Sequence, residues 1–160
     1  MRILIAIISL VVLGACVTIV PGTSRETDVL AHFGTPAEQR QLPDGGRVLE
    51  FPRSPLGHEN WRVTLAADGT VRAVEQLLDE PHFARLKPGM TKSEVRLELG
   101  RPAESETQIY PNLNEEVWTW RYLEPQRRMF FNAHFDQKTG KLKYTSRTEE
   151  SYLPINDMGT

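Results

Sequence analysis

Lys87 to Pro102, KPGMTKSEVRLELGRP, fits a turn, a capped helix and a sharp stop into one short run. Pro88-Gly89 makes the turn. Thr91, followed at the third position on by Glu94, is a capping box, each side chain covering a backbone donor that a helix start leaves unpaired. A helix is therefore predicted from about Lys92. Val95 and Leu99 fall one turn apart on one face while Lys92, Ser93, Arg96 and Glu98 point elsewhere, so the helix is amphipathic and lies on an apolar layer. Gly100 supplies a left-handed stop, and Pro102 prevents resumption.

The same device occurs earlier in the chain. Pro21-Gly22-Thr23-Ser24 opens, Val29 and Phe33 repeat the one-turn spacing, and Gly34-Thr35-Pro36-Ala37-Glu38 closes, matching Gly100-Arg101-Pro102-Ala103-Glu104. Gly34 and Gly100 are 66 residues apart and Pro21 and Pro88 are 67 apart, so one residue of slack lies inside the helix. Two copies of one unit are the simplest account.

Each helix precedes a run of strand patterns. In the first copy, Gln41 to Gly46 is turn chemistry, and Arg47 to Phe51 alternates as a half-buried strand does. Trp61, Val63 and Leu65 alternate with Arg62 and Thr64, Asp68-Gly69 signals a hairpin, and Thr70 to Leu78 returns. Asp79-Glu80-Pro81 starts a short helix with Phe83 and Leu86 on its apolar side. After a longer loop through Pro111 to Asn114, Glu116 to Tyr122 places Trp118, Trp120 and Tyr122 on one face. Met129, Phe131, Ala133 and Phe135 alternate with Arg128, Phe130, Asn132 and His134, and Lys141 to Thr148 returns. The expected fold is therefore α+β: two tandem helix(-helix)-three-stranded antiparallel meander modules, with helices packed on one face of each sheet. Residues 23–78 are the first, degenerate copy with a reduced first helix, residues 79–150 the second, and residues 151–160 a tail.

Composition narrows the function. The 160-residue chain carries 19 basic and 21 acidic residues, a net charge of −2 that gives no electrostatic case for nucleic acid. Residues 1–15, MRILIAIISLVVLGA, form an apolar core behind Arg2, shorter than the ~20 residues a spanning helix needs, and read as a secretory signal. Leu13-Gly14-Ala15-Cys16 resembles the bacterial lipobox, and Cys16 is the only cysteine. Its lipidation is expected to anchor the chain, leaving no internal disulfide. Residues 16–22 are then a short linker. From Cys16 to Pro21 the chain reaches at most about 18 Å, so the body is expected close to the membrane.

No residues read as catalytic. His58-Glu59 lacks the second histidine of a zinc-protease motif, because position 62 is Arg62. His32, His58, His82 and His134 stand singly without metal-ligand spacing, and neither a serine elbow nor a phosphate loop occurs. Glu115-Glu116 and Glu149-Glu150 are strand neighbours that point to opposite faces. No metal and no cofactor is expected. A sheet covered by helices on one side leaves the other open, and in the second copy that face should carry Val117, Thr119, Arg121, Arg128, Phe130, Asn132 and His134. Of these, Val117, Arg121, Arg128, Phe130 and His134 are the candidate partner contacts, with Phe130 the apolar anchor. Arg127, Arg128, Lys138, Lys141, Lys143 and Arg147 gather on the final hairpin, either facing an anionic bilayer or protecting a strand edge.

Pro88, Gly89, Met90, Thr91, Val95, Leu99, Gly100 and Pro102, followed by Trp118 and Trp120 in a meander behind a lipoprotein signal, resemble the motif of the SmpA/OmlA (BamE-like) family. The resemblance implies a structural role for those positions and for Glu94. It also implies a periplasm-facing outer-membrane lipoprotein, accessory to the assembly of β-barrel proteins through protein contacts. Val17 after the cysteine favours the outer membrane by resemblance to the enteric sorting rule. The doubled arrangement is similar to the β-lactamase-inhibitor protein, which implies the alternative of a tethered inhibitor or sensor of a periplasmic enzyme.

Overall fold

The computed structural model describes residues 18–125 and 127–150. The expected signal peptide at 1–15, the expected lipidation at Cys16, Val17 and the expected tail at 151–160 lie outside the described residues. The elements run α1 (Glu26–Phe33), β1 (Glu38–Gln41), β2 (Arg47–Pro52), β3 (Asn60–Leu65), β4 (Val71–Gln76), α2 (Glu80–Phe83) and α3 (Lys92–Leu99). They continue with β5 (Gln108–Tyr110), β6 (Glu115–Glu124), β7 (Arg127–Asp136) and β8 (Leu142–Glu149). Single turns of 3-10 helix at Glu104–Glu106 and Pro111–Leu113 flank β5. The strands form two antiparallel sheets, ordered β1-β2-β3-β4 and β5-β6-β7-β8.

This overturns the expected α+β pair of three-stranded modules. The protein is mostly β, with two four-stranded sheets and, among the described residues, three short α-helices. The strands missing from the sequence reading are β1 and β5, the outer strands that open each sheet. β1 is EQRQ, wholly polar and largely exposed, and β5 is QIY, exposed at all three positions. Neither buries one face, so neither carries the period-2 signal by which a strand is recognised. Their partners hold them: Glu38 to Gln41 pair with Glu50 to Arg47, and Gln108 to Tyr110 with Val117 to Glu115.

The Pro-Gly turn ahead of α1 and of α3 serves the sheet as much as the helix. Gly22 and Gly89 adopt φ of +81° and +91°, open to glycine at little cost. Gly22 N–H donates to the Val71 carbonyl (2.8 Å), and Val71 N–H donates to that of Ser24 (2.9 Å). In the other half Gly89 N–H donates to Leu142 and Leu142 N–H to Met90, both at 2.8 Å. Each turn thus pairs with the first residue of the last strand of its sheet, covering edge groups otherwise left open. Both helices end in glycine, but not in the expected left-handed helical region. Gly34 (φ 83°, ψ −153°) and Gly100 (φ 72°, ψ −163°) lie in a region essentially restricted to glycine.

Apolar packing follows the periodicities. Val29 and Phe33 of α1 cluster with Leu49, Phe51, Val63, Leu65 and Val71. Val95 and Leu99 of α3, with Phe83 and Leu86, cluster with Trp120, Tyr122, Met129, Phe131, Ala133 and Phe135. The Phe83 ring stacks on Phe131 at 4.1 Å and 6°. Each fully buried large side chain of this kind contributes ~1.5–3 kcal/mol.

The two halves meet at the C-terminus of α3. The Asn60 side-chain amide, on a residue 2% exposed, donates to the carbonyls of Leu99 (2.8 Å) and Arg101 (3.0 Å). Trp120 Nε1 donates to the Gly100 carbonyl at 3.2 Å, and Arg96 pairs with Glu38. Helix-end carbonyls that lack intrahelical partners are thereby satisfied from β3 of one sheet and β6 of the other.

Candidate functional site: the open face of the second sheet

The pleat sends alternate side chains of β6 and β7 away from the helices. With the matching positions of β8 and β5, they line a cleft of about 430 Å³ that includes Tyr110, Val117, Thr119, Phe130, Asn132, His134, Tyr144 and Ser146. Tyr110 and Tyr144, 42% and 45% exposed, are aromatic surface at the two sides of the cleft, and Leu113 is also exposed. Between them runs a polar network. Thr119 Oγ1 donates to Asn132 Oδ1 (2.9 Å), and Asn132 Nδ2 faces Ser146 Oγ (3.4 Å) and Thr148 Oγ1 (3.3 Å). His134 Nε2 lies 2.9 Å from Ser146 Oγ and its Nδ1 3.2 Å from Glu115 Oε2. The His134 ring stacks on Tyr144 at 4.2 Å.

Glu115 organises one end. Lys143 Nζ donates to it at 2.6 Å, and the residue is only 6% exposed. The hydrogen bond from Lys143, with that from His134, holds its carboxyl below the usual carboxylate range against the opposing effect of burial, and the same contact raises Lys143. Glu116 points the other way, to Lys92 Nζ (2.6 Å) and Trp118 Nε1 (2.8 Å). At the opposite end, Arg121 reaches the Pro55 carbonyl and Glu106 (3.1 Å), and its guanidinium lies 5.7 Å from the Phe130 ring centroid. His58 bonds Glu150 at 2.9 Å. The 53–58 loop of the first half therefore meets this end of the sheet.

Of the candidate contacts, Val117, Phe130 and His134 line the cleft, Arg121 stands over Phe130, and Arg128 is exposed farther along β7, opposite Leu123. The motif positions lie elsewhere and hold structure. Pro88, Gly89 and Met90 form the turn, and Thr91 Oγ1 accepts from Glu94 N–H while Thr91 N–H donates to Glu94 Oε2. Val95 and Leu99 are fully buried, Gly100 closes the helix and Pro102 is buried after it. On the final hairpin Arg127 pairs with Glu124, Lys143 with Glu115 and Arg147 with Glu80. Among the described residues, no three His, Asp or Glu side chains converge to hold a metal, and no helix is long and apolar enough to cross a membrane. Sequence reasoning missed Glu115, Tyr110, Tyr144 and Ser146 as members of this face. Glu115 shares the parity of Val117 and could have been found by extending that strand two residues, whereas Tyr110, Tyr144 and Ser146 join the face through cross-strand register, which a single strand does not carry.

No protein-family model matches the chain, so the SmpA/OmlA resemblance stands without a family match, and no curated protein matches it either. Among solved structures the chain is similar to a Streptococcus mutans protein named "putative beta-lactamase inhibitor protein". The identity is 12%, with 78% of this chain and 82% of that one covered and a TM-score of 0.30. A likeness of that size assigns no function to this chain.

Proposed function

We propose that this chain is a protein-binding module, tethered to the outer membrane through lipid on Cys16, that seats an envelope protein on the open face of its second sheet. The observation that carries the reading is the cleft itself. Rigid aromatic rings at Tyr110, Phe130 and Tyr144 alternate with hydroxyl and amide groups at Thr119, Asn132, Ser146 and Thr148. Surfaces that recognise proteins use this mixture, aromatic anchors for area at low entropy cost and small polar groups for adaptable hydrogen bonds. Glu115 and Lys143 are ion-paired with each other and Arg121 with Glu106 and Glu150, so a partner need not strand a buried charge there.

The sequence motif and lipobox favour a partner from outer-membrane assembly. The alternative is a tethered inhibitor or sensor that holds one soluble periplasmic enzyme on the same face. Affinity capture from solubilised envelopes separates the two: barrel-assembly subunits support the first reading, a single soluble enzyme the second. Phe130→Asp should remove the captured protein without unfolding the chain. Capture undiminished by Phe130→Asp refutes the placement of the site.

A further inference from the structure

We propose that Ser146, His134 and Glu115 form a nucleophile relay on this face that takes an acyl group from a carboxylic ester. They stand on β8, β7 and β6, adjacent strands of one sheet, in a diagonal line. His134 pairs with Tyr144 and Val117 in register, so Ser146 and Glu115 are its diagonal neighbours, two residues along on either side. The atoms meet in the order such chemistry needs. Ser146 Oγ is 2.9 Å from Nε2 of His134, and Glu115 Oε2 is 3.2 Å from Nδ1.

Glu115 sets the tautomer. Ionised, it has no proton to donate, so the proton of the neutral ring sits on Nδ1 and Nε2 is left to accept from the serine hydroxyl. Stacking on Tyr144 fixes the ring plane. A donor for the developing oxyanion is also present. Thr119 holds Asn132 Oδ1, which turns Nδ2 toward Ser146 Oγ at 3.4 Å. Ser146 opens onto the cleft, where Phe130 and Tyr144 provide apolar surface for an acyl or aromatic group.

In the reaction, Ser146 Oγ forms a bond to the carbonyl carbon as its proton passes to His134 Nε2. The ester C–O bond breaks, and the departing alkoxide takes that proton and leaves as alcohol. Water then attacks the acyl carbon, gives a proton to Nε2, and releases the acid as the proton returns to Ser146 Oγ. Ser146 and His134 touch the reacting atoms, and Glu115 is a positioning residue. The proposal shares its face with the binding role but needs no partner, so the two fail separately.

The test is labelling of the folded full chain with a fluorophosphonate, in which Oγ displaces fluoride, with the adduct located by peptide mass spectrometry and release of nitrophenol from p-nitrophenyl acetate followed in parallel. A stoichiometric adduct on Ser146 is expected, absent from Ser146→Ala. His134→Gln should slow it by about 100-fold or more, and Asn132→Leu should slow ester turnover by about 100-fold. Glu115→Gln should slow labelling, with partial recovery in Glu115→Asp, a pattern that simple loss of stability would not give. Circular dichroism confirms the fold of each variant. The relay is overturned by a folded wild type that takes no label, by label on another residue, or by label on Ser146 at a rate His134→Gln leaves unchanged.

Discussion

Replacing Asn60 by alanine tests how the two halves are joined. The side chain donates to the carbonyls of Leu99 and Arg101, both at the end of α3, while its own Oδ1 is buried with no partner among the described residues. Asn60→Ala strands the Leu99 carbonyl in a buried setting, at ~1–3 kcal/mol. The Arg101 carbonyl is only partly buried and water replaces the bond, for ~0.5–1 kcal/mol. Removing the unpaired Oδ1 returns ~1 kcal/mol, so the net loss is ~2 kcal/mol. For a chain of this size that lowers the melting midpoint by ~4–8 °C. Thermal unfolding followed by circular dichroism and by tryptophan fluorescence should report one shared transition that moves as a whole. Trp61 reports on the first sheet, Trp118 and Trp120 on the second. Asn60→Asp should cost more, because a carboxylate would face two carbonyl oxygens. A midpoint within about 1 °C of wild type for Asn60→Ala, or two separated transitions in wild type, would refute the reasoning.

Gly100→Ala and Gly34→Ala both force alanine into glycine-only backbone, at ~1–3 kcal/mol. Gly100→Ala should be the worse, since its Cβ would lie 3.2 Å from Asn60 Nδ2 and 3.3 Å from Leu77 Cδ1 while that of Gly34 meets nothing within 4 Å. Denaturant titration of the pair checks the order. Phe131→Ala removes a ring stacked on Phe83 and 2% exposed, and should lower stability by ~3–5 kcal/mol in the same assay. Acid should also destabilise the protein through Glu115. Its folded carboxyl titrates below its ordinary 4.5, so its contribution is complete above that value and is lost as the pH falls through the lowered one. Glu115→Gln should flatten this acid limb in melts taken across pH 2–6, and an unchanged slope would remove Glu115 as its source.

What the sequence revealed depended on whether a signal was local. The start of α3 was legible because Thr91 and Glu94 satisfy each other within one turn, and the inward faces of β6 and β7 because alternate positions are large and apolar. The outer strands β1 and β5 were not, since polar strands held only by their neighbours carry no pattern of their own. The same limit hid part of the site. Val117, Phe130 and His134 could be placed on a common face by parity, and Glu115 with them by extending that strand two residues, but Ser146 joins His134 only through the register of β8 against β7. Asn60 gave no hint of its role, because its acceptors lie 39 and 41 residues away in sequence.

Site-specific photo-crosslinking in intact envelopes tests the central claim most directly. A benzophenone side chain at Tyr110 or Tyr144, on either side of the cleft, should crosslink to one and the same protein, and Phe130→Asp introduced alongside should abolish both crosslinks. The same group at Asp68, on the hairpin turn of the first sheet, should give none. Crosslinks from Asp68 to that protein, or none from the two tyrosine positions in a folded chain, would place the contact surface somewhere other than the second sheet.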